Sequence, residues 1–208
     1  MAIVGTEIGS IEMLGRINRH RAWVEAGEPD GEPGQSSRLA LLDARIGPVT
    51  IANATFSAAQ LVRCDMSAST FVQCDFSDAL LSGSILQGCK FIGCEFRKAD
   101  MSEADCNGAD FSNSGMTRVD LSRAILTGAN LTGCDLGWAW LIETDLRHAT
   151  LQDVNLAGAR LAGAKLYDTR RFRLGLSKQT LVKDVIVDEN VLGPGKSGVE
   201  ALAFLRAD

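Results

Sequence analysis

The stretch "ADFSNSGMTRVDLSRAILTGANLTGCDL", residues 109–136, repeats on a period of five. Phe111, Met116, Leu121, Leu126, Leu131 and Leu136 mark the period. Two residues before each stands a small side chain: Ala109, Ser114, Val119, Ala124, Ala129 and Cys134. A helix gathers positions about 3.6 apart on one face and a strand gathers positions about 2 apart, so neither fits. A chain that takes a short extended step, turns and repeats does fit. The large residue and the small residue two before it then point inward together, as alternation along a strand requires.

The series runs outward from this stretch without a slip. Every fifth residue from Phe56 to Leu166 is apolar, and Ile46 and Ile51 precede it. The partner two residues earlier, from Ala54 to Ala164, is always Ala, Cys, Ser, Thr or Val. Asp, Asn or another polar residue usually stands just before the large residue, and Ser, Thr or Gly often follows it.

"ADFSN", "ANLTG", "VNLAG" and "ARLAG" resemble the A(D/N)LXX unit of the pentapeptide-repeat proteins, and the resemblance covers about residues 44–168. It implies an all-β solenoid, a right-handed quadrilateral β-helix with four pentapeptides per coil. Four per coil means columns spaced by twenty. Phe56, Phe76 and Phe96 share one column with Met116, Leu136 and Leu156, and Phe71, Phe91 and Phe111 share the next. Cys74, Cys94 and Cys134 share a third with Ala54, Ser114 and Val154. Such size matching is expected of stacked positions. About six coils at ~4.8 Å per rung give a rod ~29 Å long.

The flanks depart from the repeat, which gives three regions. Residues 1–38 are a lead and linker. "EIGSIEMLGRINRHRAWVEA" (7–26) reads as an amphipathic helix with Ile11, Leu14, Ile17 and Val24 near one face. "GEPDGEPGQSS" (27–37) reads as a Gly/Pro/acidic linker. Residues 39–168 are the β-helix, and 169–208 a cap. The pattern fails at Arg171. Leu176, Leu181, Ile186 and Val191 keep the spacing, but Leu174, Gln179, Asp184 and Glu189 stand where small partners are due. The cap is therefore expected to leave the regular coil, with one strand in "LVKDVIVDENV" and a short helix in "SGVEALAFLRA". Ser197 and Glu200 form that helix's capping box. Leu202, Phe204 and Leu205 are its candidate dimerisation residues, and a homodimer is expected.

Composition narrows the function. The 208 residues carry a net charge of −5 and only 6 % aromatics. A mild acidic excess argues against direct binding to a nucleic-acid backbone. No apolar run approaches the ~18 residues of a membrane span. "MAIVGTEIGS" has no basic n-region, so no signal peptide is expected. Six cysteines without one point to free thiols in a reducing cytoplasm. Cys64, Cys74, Cys89, Cys94 and Cys134 occupy the small inward position and Cys106 the large one, where cysteine acts as a small hydrophobe. The two histidines, His20 and His148, form no pattern with the cysteines, and each Ser, Gly and Asp is explained by its place in the repeat. No metal, cofactor or catalytic residue is expected, and the chain reads as non-enzymatic.

That leaves the surface. Asp75, Glu95 and Asp135 lie in one outward column and Asp100 and Asp120 in the adjacent one. Trp138 and Trp140 flank the inward Ala139 and face out at the same corner, with Arg118 and Arg160 one rung away in their columns. These seven acidic and aromatic residues are the candidate contacts to a protein partner. Some pentapeptide-repeat proteins confer quinolone resistance by binding DNA gyrase as rods that resemble duplex DNA, and such members are dimers joined through C-terminal helices. The resemblance thus implies one specific partner, gyrase or another topoisomerase. Residues 46–166 hold 13 acidic and 9 basic side chains, a net of −4. Spread over the rod, that is one charge per ~7 Å, against one per ~1.7 Å in DNA. Only part of the rod could act as a charge mimic. The loops that interrupt the coil in some resistance proteins have no counterpart between 46 and 166. The alternative is a scaffold or interaction module unrelated to topoisomerases.

Overall fold

In a computed structural model of the chain, the described residues are 3–4, 7–25, 39–187 and 198–206. The 27–37 linker, Ser197 of the expected capping box, Glu189 and Val191 lie outside them. The chain winds into a right-handed quadrilateral β-helix of about 7 turns, one more than the repeat count suggests. The extra turn comes from both ends.

At the start, β1 (Ile3–Val4) and β2 (Glu7–Ile8) are already part of the coil. They pair in parallel with β3 (Ala40–Leu42) and β4 (Arg45–Ile46), with Ile3 against Leu41 and Ile8 against Ile46. The offset of 38 is one coil of 20 plus 18 residues. Between the paired strands stands α1 (Ser10–Glu25), and the described coil resumes at residue 39. The helix is shorter than 7–26, and its inward face differs from the expected one. Met13, Ile17 and His20 are buried, whereas Ile11 and Leu14 are exposed. The Leu39 N–H donates to Nδ1 of His20 at 3.1 Å, which ties the helix to the point of re-entry.

From there the coil is regular. β5 (Thr50–Ala52), β6 (Gln60–Val62), β7 (Thr70–Val72) and β8 (Lys90–Ile92) pair with a constant offset of twenty, as Leu41 with Leu61 and Phe71 with Phe91. Single bridges at the same offset carry the ladder up to β9 (Thr150–Gln152). Each rung bonds both ways: Phe76 N–H donates to the Glu95 carbonyl (2.7 Å) and Asp75 N–H to the Ala54 carbonyl (3.0 Å). Every fifth residue from Phe56 to Leu166 is buried, none more than 2 % exposed. Phe56, Phe76 and Phe96 stack face to face at 4.5 and 5.0 Å, as do Phe71, Phe91 and Phe111 at 5.1 and 5.0 Å. The two stacks meet edge-on at 5.2–5.7 Å, the geometry that aromatic quadrupoles favour.

The coil turns through a left-handed residue at nearly every corner, among them Ala58, Arg63, Arg118 and Trp138 with φ between 53° and 60°. This conformation costs a non-glycine residue about 1–2 kcal/mol, which the ladder must offset. Most corners close with a bond from the small residue to the large residue three before it, as Ala79 N–H to Phe76 (3.1 Å). Among the turns where that bond is open are 41–44, 51–54, 61–64, 71–74 and 91–94, and at these the small inward side chain of the next coil spans the gap. Ser84 donates to the Leu61 carbonyl (2.6 Å) and accepts the Cys64 N–H (3.1 Å). Ser114 does the same for Phe91 and Cys94. The thiols of Cys64, Cys74 and Cys94 donate to Leu41, Ile51 and Phe71 at 3.4–3.6 Å.

The C-terminal region does not leave the coil at 169. β10 (Arg170–Phe172) pairs with β9 at the usual offset, Arg171 against Leu151, and Asn155 still bridges Gly175. One residue is then inserted: Arg160 bridges Leu181 and Lys165 bridges Ile186. The inward set therefore shifts by one. Thr180 and Val185 are buried and Val182 and Val187 pack on the core, while Leu181 faces solvent. The expected "LVKDVIVDENV" strand is, in its described part, these isolated bridges. Thr180 closes the widened turn, donating to the Leu156 carbonyl (2.8 Å) and accepting from Ser177 N–H (3.0 Å). α2 (Gly198–Arg206) lies on the last turn with Ala201 and Leu205 buried.

Candidate functional site

The corner carrying the candidate contacts is built by the ladder itself. Bridges join Asp75, Glu95, Gly115, Asp135 and Asn155 in one outward column and Asp100, Asp120, Trp140 and Arg160 in the next. Leu136, Ala139 and Leu141 are fully buried. The register thus forces Trp138 and Trp140 outward, at 53 % and 46 % exposure.

The two indoles are held differently. Arg160 places its guanidinium 5.5 Å from the centre of the Trp140 ring. The matching stack of Arg118 on Trp138 is not what holds that ring. Trp138 instead lies flat against Gly158 in the coil above, within 2.6–2.8 Å of where a β-carbon would stand. Gly158 has φ of +73°, which glycine holds without strain, and the ring leaves no room for a β-carbon there.

The acids are less free than their column suggests. Asp75, Asp100 and Asp120 each accept the N–H of the residue two ahead, at 2.8–3.0 Å. Asp135 uses both oxygens, accepting Gly137 N–H, Asn155 Nδ2 and Thr117 Oγ1. The Glu95 carboxylate lies across Gly115. Between the two acid columns run Arg97, Lys98 and Arg118, so the corner is mixed in charge. The other corners differ. One is a ladder of vertical ion pairs, Arg63 on Asp43 and Arg123 on Glu103. Another carries Ala68, Gly88, Gly108 and Gly128 at its turn position, and His148 beside Asp168 at its C-terminal end.

The C-terminal helix residues split. Leu205 is buried against the chain's own last turn, which removes it from any face offered to a second subunit; Phe204 is half-buried and Leu202 partly exposed. The Phe204 ring covers Arg171, whose guanidinium sits 3.6 Å from the ring centre. Arg171 thus takes the inward position after Leu151, and burial pulls its pKa down. Sequence reasoning missed this closure, although an arginine in an inward register with a nearby aromatic is its signal.

All six cysteines are free and buried. Burial pushes the Cys64 and Cys89 thiols up to about 11 and Cys134 to about 12. Cys94 is held up by its hydrogen bond to Cys74 and by burial. At neutral pH these four are protonated donors, not nucleophiles, whereas the hydrogen bond from Cys94 draws the buried Cys74 thiol down to about 7. His148 is exposed, with Nδ1 3.7 Å from Asp168. A cluster not singled out in the sequence surrounds Asp145. Burial raises this carboxyl, but the hydrogen bonds and charge of Arg147 outweigh it and hold it below the usual range. Arg147 also donates to the Tyr167 hydroxyl at 2.8 Å. Among the described residues no group of three His, Cys, Asp or Glu is placed to hold a metal. No helix among the described residues is long and apolar enough to cross a membrane.

Two family models match: "Pentapeptide repeats (8 copies)" over residues 51–88 and "Pentapeptide repeat region" over 84–161. Together they span more than half of the chain. Among curated proteins no sequence match reaches significance. Similar solved structures include HetL, a pentapeptide repeat protein involved in heterocyst differentiation regulation from the cyanobacterium Nostoc. It is 19 % identical with a TM-score of 0.41, over 95 % of this chain and 90 % of that one. QnrB1, a plasmid-mediated fluoroquinolone resistance protein, is 18 % identical with a TM-score of 0.36, over 91 % and 90 %. Rfr23 from the cyanobacterium Cyanothece is 21 % identical with a TM-score of 0.32, over 68 % and 86 %. Family assignment rests on the family models and the register, not on these likenesses.

Proposed function

The chain belongs to the pentapeptide-repeat family, and from that premise we propose that it is a non-enzymatic rod that binds a protein partner in the cytoplasm. The supporting observation is the inequality of its corners. One is closed on itself by ion pairs, and one has nothing larger than a methyl at its turn position from Ala68 to Gly128. The corner of Asp75, Glu95, Asp135, Asp100 and Asp120 alone joins charge to two half-exposed indoles, Trp138 and Trp140. Exposed tryptophan is enriched at binding hot spots. A narrower form of the proposal makes the partner DNA gyrase or another topoisomerase, protected from its poisons by a DNA mimic. Against whole-rod mimicry stand the low charge density and the basic line Arg97–Lys98–Arg118 between the acid columns.

A photoreactive side chain at position 98, on this corner, is expected to crosslink one discrete protein in the source cell, and the same probe at position 108 none. Equal labelling at both overturns the reading. For the narrower form, expression should raise tolerance to gyrase poisons and the purified protein should inhibit gyrase supercoiling; no effect in either assay removes it.

A further inference from the structure

The rung at 138–142 presents a transverse apolar row on one face: Trp138, Trp140 and, half-buried, Ile142. Its vertical neighbours are oppositely charged. In the Trp140 column Asp120 lies one rung below and Arg160 one rung above. Elsewhere on the rod a turn arginine pairs with the acid one coil below, as Arg63 with Asp43, Arg123 with Glu103 and Arg173 with Asp153. Arg160 instead finds Trp140 below it, and forms no ion pair among the described residues. Asp120 uses one oxygen for the Ser122 N–H, and its other oxygen carries no hydrogen bond among the described residues.

We propose that this face recognises a second copy of the same chain, the two rods lying antiparallel about a two-fold axis that runs along the 138–142 rung. This rests on reading the corner as a contact surface and names the occupant of its aromatic part. An axis along the rung reverses the rods and leaves lateral position unchanged. Trp138 and Trp140 of one copy then meet the same residues of the other. Arg160 meets Asp120, twice per dimer. An apolar centre flanked by opposite charges at equal distances is self-complementary in this orientation, as an isologous interface requires. In a parallel arrangement Arg160 meets Arg160 and Asp120 meets Asp120. The dimer leaves the Asp75/Glu95 column outside the contact and doubles it in the assembly, which makes any partner binding there bivalent.

Sedimentation equilibrium of the full chain at increasing concentration is the test. The wild type is expected to approach twice its 22.2 kDa mass, less readily at high salt as screening shortens the reach of the ion pairs. Asp120→Arg alone and Arg160→Asp alone each place like charges in both contacts and should weaken dimerisation about tenfold or more. An equimolar mixture of the two variants restores both pairs in a heterodimer, and so does the double variant in one chain. Restoration cannot come from misfolding, and melting curves of the single variants check that the rod is intact. A wild type that stays monomeric overturns the proposal, as does a dimer indifferent to either reversal or a mixture that fails to recover. If the wild type is monomeric while crosslinking at position 98 still finds a discrete partner, self-recognition alone falls. If that crosslink is also absent, the contact reading of the corner falls with it.

Discussion

The coils from Phe56 to Phe111 and the turn from Arg170 to Val187 follow one ladder with different interiors. In the first, six phenyl rings interlock in two stacks, and open turns are bridged by a side chain from the coil above. In the second, an arginine takes an inward place, one residue is inserted, and Thr180 and α2 do the closing. In a solenoid each coil touches only its neighbours, so stability is close to a sum of local terms. Strength is therefore concentrated where the rings stack, and the last turn is held mainly by what lies on it.

The most disruptive way to break that contrast is Phe91→Ala, which removes the centre of one stack and its two edge contacts with the other, to Phe76 and Phe96. A loss of about 3–5 kcal/mol is expected from urea denaturation, the range for a buried phenylalanine. Ser84→Ala keeps the volume nearly constant but orphans the Cys64 N–H and the Leu61 carbonyl, so about 1–3 kcal/mol should be lost. Ser84→Cys should recover most of it, because Cys64, Cys74 and Cys94 span equivalent gaps. In the last turn Phe204→Ala uncovers Arg171. The expected cost is about 0.5–2 kcal/mol, read as faster amide exchange confined to 170–187. Protection lost evenly along the rod would erase the distinction between the two regions.

The same contrast sets how much the sequence could show. From Phe56 to Leu166 the register is legible because size and spacing agree at every unit, and a solenoid interior admits no slip. The last turn misleads because Leu181 and Ile186 keep the five-residue spacing by chance, beside Val182 and Val187. Apolar spacing alone cannot choose between two adjacent registers. The small-partner rule can: Thr180 precedes Val182 by two and Val185 precedes Val187, whereas Gln179 and Asp184 precede the other pair. At the N-terminus, Ile11 and Leu14 have the right spacing for a buried face, but the coil end is covered by Met13, Ile17 and His20. Helical periodicity gives a stripe's existence better than its orientation. The outward residues of the corner were legible by register. That Trp138 leans on Gly158 was not, because left-handed corners here accept many residue types and a glycine among them carries no special signal.

The smallest effect on stability belongs to the two exposed rings of that corner, not to the glycine beneath one of them. Gly158→Ala must push the Trp138 ring aside and hold alanine at positive φ, about 1–2 kcal/mol from the backbone alone. Trp138→Ala in the same chain should relieve the ring clash and leave only the backbone part. Replacing Trp138 and Trp140 together, with Gly158 kept, forfeits a half-exposed ring contact and one surface cation–π stack, of about 0.5–1 kcal/mol. The melting temperature should therefore barely move, while self-association disappears. These side chains are as large as any in the Phe stacks. If their loss cost as much as Phe91→Ala, position 140 would face inward, and the five-residue register would be wrong at the one place where it assigns two aromatic rings to the surface.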